Sequence, residues 1–255
     1  MIDIHSHILP GIDDGAQTLE ESLEMARAAY ADGIRTVIAT PHHANGRYTN
    51  AAGNVTAAVA SLNDALQTNG IDLQVLAGQE IRVYSKLVDD WHDQALLSLD
   101  RSSYILIEFP TAEVPKGIAD LIHELRILGI TPIIAHPERN QELLNKPDRL
   151  RELVELGALG QVTSHSITGL FGKKIQEISM QMCKSNLIHF VASDAHNMSN
   201  RGFGLSRAYE TIEKALGFQY SEYYKENANS LITGEIISKW SVKEVNRKWF
   251  LFWKR

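Results

Sequence analysis

Seven short runs of β-branched and aliphatic residues recur along this chain. Longer stretches with helical spacing separate them, and nearly every run ends in histidine, aspartate or glutamate. The runs occupy 2–5, 36–40, 73–78, 104–109, 132–136, 157–163 and 188–193. Helical patterns fill 18–32, 52–69, 115–129, 147–156 and 172–185. The runs are apolar nearly throughout, as strands buried on both faces of a parallel sheet must be. Strand followed by helix, repeated over 255 residues, predicts a single α/β barrel of seven or eight strands. Helix signals agree. Thr18 with Glu21 reads as a capping box, and Gly33, Gly70 and Gly129 stand where helices should stop. No linker rich in Pro, Gly or Ser divides residues 1–238, and no internal repeat is present.

The strand ends carry the chemistry. The first run closes in His5-Ser6-His7; alternation along a strand points both imidazoles to one side, which makes half of a metal site. The others end in His42 and His43, Glu80, Glu108, His136 with Arg139 just beyond, His165, and Asp194 with His196. In α/β barrels the active site is built at the carboxyl ends of the strands, so these side chains are expected on one rim.

Charge and cysteine usage narrow the classes. The net charge is −6, yet residues 239–255 hold six Lys or Arg against one Glu, net +5, which leaves −11 on residues 1–238. An acidic body disfavours nonspecific nucleic-acid binding and suits carboxylates that hold cations. Cys183 is the one cysteine, so no internal disulfide forms. No basic stretch leads into an apolar one near Met1, and no run approaches the length that spans a bilayer; the expected location is cytoplasmic.

Taken together, HSH at 5–7, IDDG at 12–15, TPHH at 40–43, AHPER at 135–139 and SDAH at 193–196 resemble the PHP (polymerase and histidinol phosphatase) superfamily of metal-dependent phosphoesterases. With Glu80 and IEFP at 107–110, the chain is most similar to the bacterial tyrosine-protein phosphatases of the CpsB/YwqE type, which go with capsule and exopolysaccharide synthesis. The resemblance implies a distorted seven-stranded TIM-like barrel, the PHP fold, with a trinuclear metal centre. It implies metal ligands at His5, His7, Asp14, His42, Glu80, Glu108, His136, Asp194 and His196. Arg139 and Arg201 correspond to the arginines that contact phosphate. The implied substrate is a phosphotyrosine protein, a bacterial tyrosine kinase or its targets. Histidinol-phosphate-type small-molecule hydrolysis, a nuclease-type phosphoesterase and a non-enzymatic kinase-binding barrel are the rival readings.

Phosphate-ester hydrolysis needs an ionised nucleophile at neutral pH and neutralisation of the phosphoryl oxygens, and closely spaced metals supply both. A metal-bound hydroxide attacking phosphorus directly, with no phosphoenzyme, is the expected course. Five His and four carboxylates suit three transition ions, Mn first with Fe, Co or Zn as alternatives, better than Ca or Mg. Glu80 is the natural bridge, and Arg139 offers a planar fork to phosphate. Tyr48 and Arg47 stand where they can flank a substrate ring, and His165 can line the cleft. Asp13 reads as a turn residue and His43 as structural; His92, His123 and His189 read as surface or core. Cys183 lacks an Arg six positions on, where His189 stands, and sits on an amphipathic pattern, so it reads as a packed thiol. The segment 239–255 reads as a separate basic, aromatic tail, with Trp240, Trp249 and Trp253 among Lys and Arg. Packing on the barrel and peripheral attachment to an anionic membrane are its two readings.

Overall fold

The computed structural model describes residues 1–243. In chain order it forms β1 (Ile2–Ser6), α1 (Leu19–Ala31), β2 (Thr36–Ala39), β3 (His42–His43), α2 (Ala52–Thr68), β4 (Gln74–Ala77), β5 (Glu80–Arg82) and α3 (Leu87–His92). It continues through β6 (Tyr104–Glu108), α4 (Ile118–Ile127), β7 (Thr131–Ala135), α5 (Gln141–Asn145), α6 (Pro147–Glu155), β8 (Leu159–Thr163) and α7 (Ser164–Thr168). The last elements are α8 (Lys173–Lys184), β9 (Phe190–Ala192), α9 (Leu205–Leu216) and α10 (Phe218–Thr233).

Every strand pairing is parallel, in two sheets ordered β1-β2-β4 and β3-β5-β6-β7-β8-β9. All seven predicted runs contain a strand. Two of them resume after a break, giving the short β3 and β5. Pro41 has no N–H to donate to a ladder, and Gly78 sits where a Cβ would lie 2.9 Å from Ile38 and Leu99. Backbone bonds cross between the sheets. The Asp194 N–H donates to the His5 carbonyl at 2.9 Å, and the His7 N–H to the Ala195 carbonyl at 2.8 Å.

Alternation divides the core. Ile105, Ile107, Ile134, Val162 and Val191 pack in the larger cluster with residues of the surrounding helices. Their neighbours Leu106, Ile133, Leu159 and Phe190 meet in a second cluster with Ala228 and Leu231 of α10 and Ile237. Residues continuing the second set along their strands are Glu108, Gln161 and Asp194. Thus on β6, β8 and β9 that face passes from apolar to polar or charged toward the carboxyl end.

Thr18 caps α1 as expected, its side chain accepting from the Glu21 N–H; the Glu21 carboxylate reaches back to Gln17 rather than to Thr18. The helices α9 and α10 follow the last predicted strand and were not anticipated. Residues 237–243 run back over α10, where Trp240 stacks on Tyr223 at 4.2 Å and meets Tyr220 edge-on at 4.8 Å. Trp249 and Trp253 lie outside the described residues. Among the described residues no helix is long and apolar enough to cross a membrane.

His189 is buried on β8's flank, its Nδ1 accepting the Gly160 N–H at 3.2 Å, and burial pulls its pKa down to about 3. An unfolded histidine protonates near about 6.5. The unfolded chain therefore binds the extra proton first, and stability is lost as pH falls from about 6.5 toward 3. Urea titrations of wild type and His189→Asn across that window should show a shallower pH slope in the variant, by up to about 1.4 kcal/mol per pH unit.

Candidate metal centre

The strand ends place the histidines, and their own neighbours set which nitrogen is bare. His5 Nδ1 lies 2.9 Å from Gln161 Oε1, His7 Nδ1 2.6 Å from Asp13 Oδ2, and His196 Nδ1 2.9 Å from the Asp194 carbonyl. Each partner accepts, so each Nδ1 carries a proton and each Nε2 is the atom left to meet a cation or a second proton. Outer partners of this kind orient metal-binding imidazoles. Gly15 makes the His7 arrangement possible. A Cβ there would stand 1.9 Å from the His7 carbonyl oxygen. The Asp13 carboxylate caps the same turn, accepting from Gly15 N–H at 2.9 Å and from His42 N–H at 3.1 Å.

The bare atoms converge. His5 Nε2 and His7 Nε2 are 3.3 Å apart, and each lies 3.4 Å from Asp194 Oδ1. Glu80 Oε2 lies 3.4 Å from His7 Nε2 and 3.6 Å from His5 Nε2. Ligands about 2.0–2.1 Å from a tetrahedral ion are separated by about 3.3–3.4 Å, so these spacings fit one. Asp14 Oδ1 is 3.4 Å from both His42 Nε2 and His196 Nε2. Three groups follow: His7, Asp14, His42 and His196; His5, His7 and Glu80; His42, Glu80 and Glu108. Each pair of groups shares one residue. His136 and Asp194 complete the constellation, with His136 Nε2 2.8 Å from Glu80 Oε1. All nine residues that the resemblance implied as ligands therefore lie in one connected network.

The donor set fits cations. His42 Nδ1 faces Glu80 Oε2 at 2.8 Å, and His196 Nε2 is buried with no hydrogen-bond partner. Glu80 is fully buried; burial opposes its charge, but His5, His42 and His136 hold its pKa well below the usual carboxylate range. Asp194 is likewise held low against burial by His5, His7 and the arginines. The compensating charge falls on His7, whose pKa is held well above normal against burial by Asp13, Asp194 and Glu80, and on His5 and His42, also raised. Protons thus occupy the place that cations would take. Two of the nine residues also adopt positive φ, His136 at 32° and Asp194 at 55°, a strained backbone typical of functional sites.

Asp194 also gathers the arginines. Arg139 Nη1 and Arg201 Nη2 both donate to its Oδ2, at 2.5 and 2.7 Å. Arg139 lies over the Phe171 ring and lines a cavity of about 130 Å³ with Glu108, Phe109, Thr111 and His136. Tyr48 lies nearly parallel to the His42 ring, 6.2 Å away, and the Arg47 guanidinium lies over the Tyr48 ring at 5.0 Å. His165 is buried beside Phe171, within electrostatic reach of Asp194, Arg139 and Arg201.

Asp13 does more than shape a turn: it is the partner that fixes His7. His43 is structural as expected, bonded to the Asn50 carbonyl at 2.8 Å. Cys183 is wholly buried, its thiol pushed up to about 12 by that burial, as a packed thiol requires. His92 and His123 are exposed and His189 is core. Sequence reasoning passed over Gln161 and Arg82. The Arg82 signal was there: two residues after Glu80 in an extended run, it shares the face of Glu80.

Residues 1–233 match the family model of the CpsB/CapC proteins of capsular polysaccharide synthesis. Tyrosine-protein phosphatase YwqE of Bacillus subtilis is 47% identical over 248 residues, covering 97% of this chain and 98% of YwqE. The putative tyrosine-protein phosphatase CapC of Staphylococcus aureus is 36% identical, covering 98% and 99%. A crystal structure from work on YwqE and on CpsB of Streptococcus pneumoniae, described as metal-dependent tyrosine phosphatases, superposes with a TM-score of 0.95 at 47% identity, over 97% of this chain and 100% of that one. A variant of the organophosphorus hydrolase from Deinococcus radiodurans shares the fold alone, with a TM-score of 0.55 at 13% identity, over 91% of each chain.

Because protons hold the place of cations, metal loading at neutral pH should release protons, and affinity should weaken as pH falls and the raised His5, His7 and His42 fill. Calorimetry of Mn²⁺ binding in buffers of different ionisation enthalpy measures that release; equal heats in all buffers would contradict it. Gly15→Ala should displace His7 and destabilise the fold by about 1–3 kcal/mol in urea titration.

Proposed function

We propose that this chain, which belongs to the CpsB/CapC family of capsular polysaccharide synthesis, is a metal-dependent protein-tyrosine phosphatase acting on a tyrosine-phosphorylated protein, the kinase of that system or its targets. The convergence of five His and four carboxylates beside two arginines supports it best. The centre is read as holding three divalent ions, Mn first with Fe, Co or Zn as alternatives, through His5, His7, Asp14, His42, Glu80, Glu108, His136, Asp194 and His196. Bound there, the metals supply an ionised water nucleophile and neutralise the phosphoryl oxygens. The protein is read as a closed seven-stranded barrel over residues 1–238 with 239–255 as a tail, working in the cytoplasm.

The chain's own residues place the substrate. Arg139 and Arg201 each use one N–H on Asp194 and keep others for the phosphoryl oxygens. Their charges sit beside the negative centre without filling it, because Asp194 anchors both. Tyr48, parallel to His42 at the rim, flanks the substrate's aromatic ring. The mouth is open: Asp14 is 40% exposed and Arg139 35%, which admits a ring carried on a polypeptide. The leaving phenolate has a pKa near about 10 and needs less protonation than an alkoxide.

Phosphate release by Mn²⁺-loaded protein should favour a multiply phosphorylated tyrosine peptide over histidinol phosphate, and should vanish in chelator and in His136→Ala. Arg139→Ala should lower kcat/KM by about 10²–10³, the usual loss for one preorganised donor to a transition-state oxygen. Preference for histidinol phosphate would overturn the substrate and keep the centre.

A further inference from the structure

All strand pairings are parallel, so the amino ends of the strands share one face, opposite the carboxyl ends that carry the candidate centre. That far face presents apolar side chains to water. Ile127, the last residue of α4 and four before β7, is 72% exposed; Leu156, three before β8, is exposed as well. Ile236 is 92% exposed, and the nitrogen of its neighbour Ile237 lies 3.5 Å from the hydroxyl of Tyr104, the first residue of β6.

Cations join these side chains into one patch. The Arg126 guanidinium, next to Ile127, passes 3.1 Å from where a Cβ on Gly157 would stand, beside Leu156. Lys239 is within electrostatic reach of it: burial and then the Arg126 charge lower the Lys239 pKa. Among the described residues neither Arg126 nor Lys239 forms an ion pair, and nor does Lys184 at the end of α8. Carboxylates stand at the same end, Asp72, Asp100 and Glu155 among them.

The chain also leaves from this face. The Lys243 N–H donates to the Ser185 carbonyl at 3.1 Å, and Asn186 Nδ2 donates to the Ser241 carbonyl at 2.7 Å, both just ahead of β9. Residues 244–255 lie outside the described residues. Their sequence sets Trp249-Phe250-Leu251-Phe252-Trp253 between Arg247-Lys248 and Lys254-Arg255. Cations on the segment and on the face share a sign, so the segment gains no attraction by covering Arg126, Lys184 and Lys239. An anionic lipid surface satisfies both at once. Phosphate headgroups draw the cations, while aromatic and exposed aliphatic side chains enter the interface.

We propose that the amino-end face and residues 244–255 together bind an anionic lipid surface. Seated so, the chain turns its candidate centre away from the bilayer, where a polypeptide substrate reaches it from water. The assignment does not depend on which reaction the centre performs.

Co-sedimentation of the full chain with phosphatidylcholine vesicles, with and without phosphatidylglycerol, tests this without turnover. Binding to the phosphatidylglycerol vesicles should be tighter by about ten-fold or more and should fall away in about 0.5 M salt. Trp249→Ser with Trp253→Ser should weaken it about ten-fold or more. Arg126→Gln with Lys239→Gln, both exposed positions, should weaken it about five-fold or more. Amide hydrogen exchange on the bound chain should slow at 124–129, 154–158 and 234–239 and stay unchanged at 44–48 and 197–202, beside the centre. Equal binding to neutral vesicles, binding to neither, or slowing at 44–48 and 197–202 instead would overturn the proposal. So would equal affinity for inorganic polyphosphate in solution, or a pair of glutamine substitutions that binds as wild type. Circular dichroism of each variant separates a failed fold from lost binding.

Discussion

A fully buried carboxylate surrounded by imidazoles is the constraint on which this structure turns. Glu80 has no exposed surface, and its close partners are His5, His7, His42 and His136. Removing a carboxylate from water is costly unless a compensating charge comes with it. Neutral imidazoles give none, so the centre must hold protons or metal ions. That need explains why three His–acceptor pairs freeze their rings with Nε2 facing inward. It also explains why Asp194 tolerates a left-handed backbone: the strain is small beside the cost of an uncompensated charge.

Much of this was written in local pattern. Strand alternation put His5 beside His7 and Glu80 beside Arg82, and the common direction of parallel strands put every strand end on one rim. Pairing across the chain was not written there. Gln161 orients His5 from 156 residues away, and nothing around Gln161 marks it. Asp13 looked like a turn residue because it is one; its second oxygen is what the turn leaves free for His7. The helix α10 escaped notice because its buried face mixes Ser221, Asn227 and three tyrosines with only Ala228 and Leu231 as aliphatic members. The helix α9 does carry an apolar stripe, in Leu205, Ala208, Tyr209 and Ile212, and its spacing could have been read.

The two arginines show how an acidic centre holds cationic side chains at its edge. Asp194 stands between the metal groups and the guanidinium groups, so it serves both and is claimed wholly by neither. Replacing it would leave two guanidinium groups beside the centre without an anchor. The aromatic rings nearby do quieter work: Phe171 gives Arg139 a face to lie on, and Tyr48 closes one side of His42.

The junction of β1 with the segment after β9 also sets when the centre can exist. Asp3 accepts from the Ser193 N–H across 190 residues. A loop that long costs entropy to close, and contacts so distant in sequence form late. At about 5–20 residues per second on the ribosome, His5 and His7 wait about ten seconds or more for Asp194 and His196 to emerge. For that interval a His-x-His pair stands without its partners, able to bind stray metal in a geometry that is not the native one. Native loading of the centre with cations would therefore follow the arrival of the last strand rather than the first.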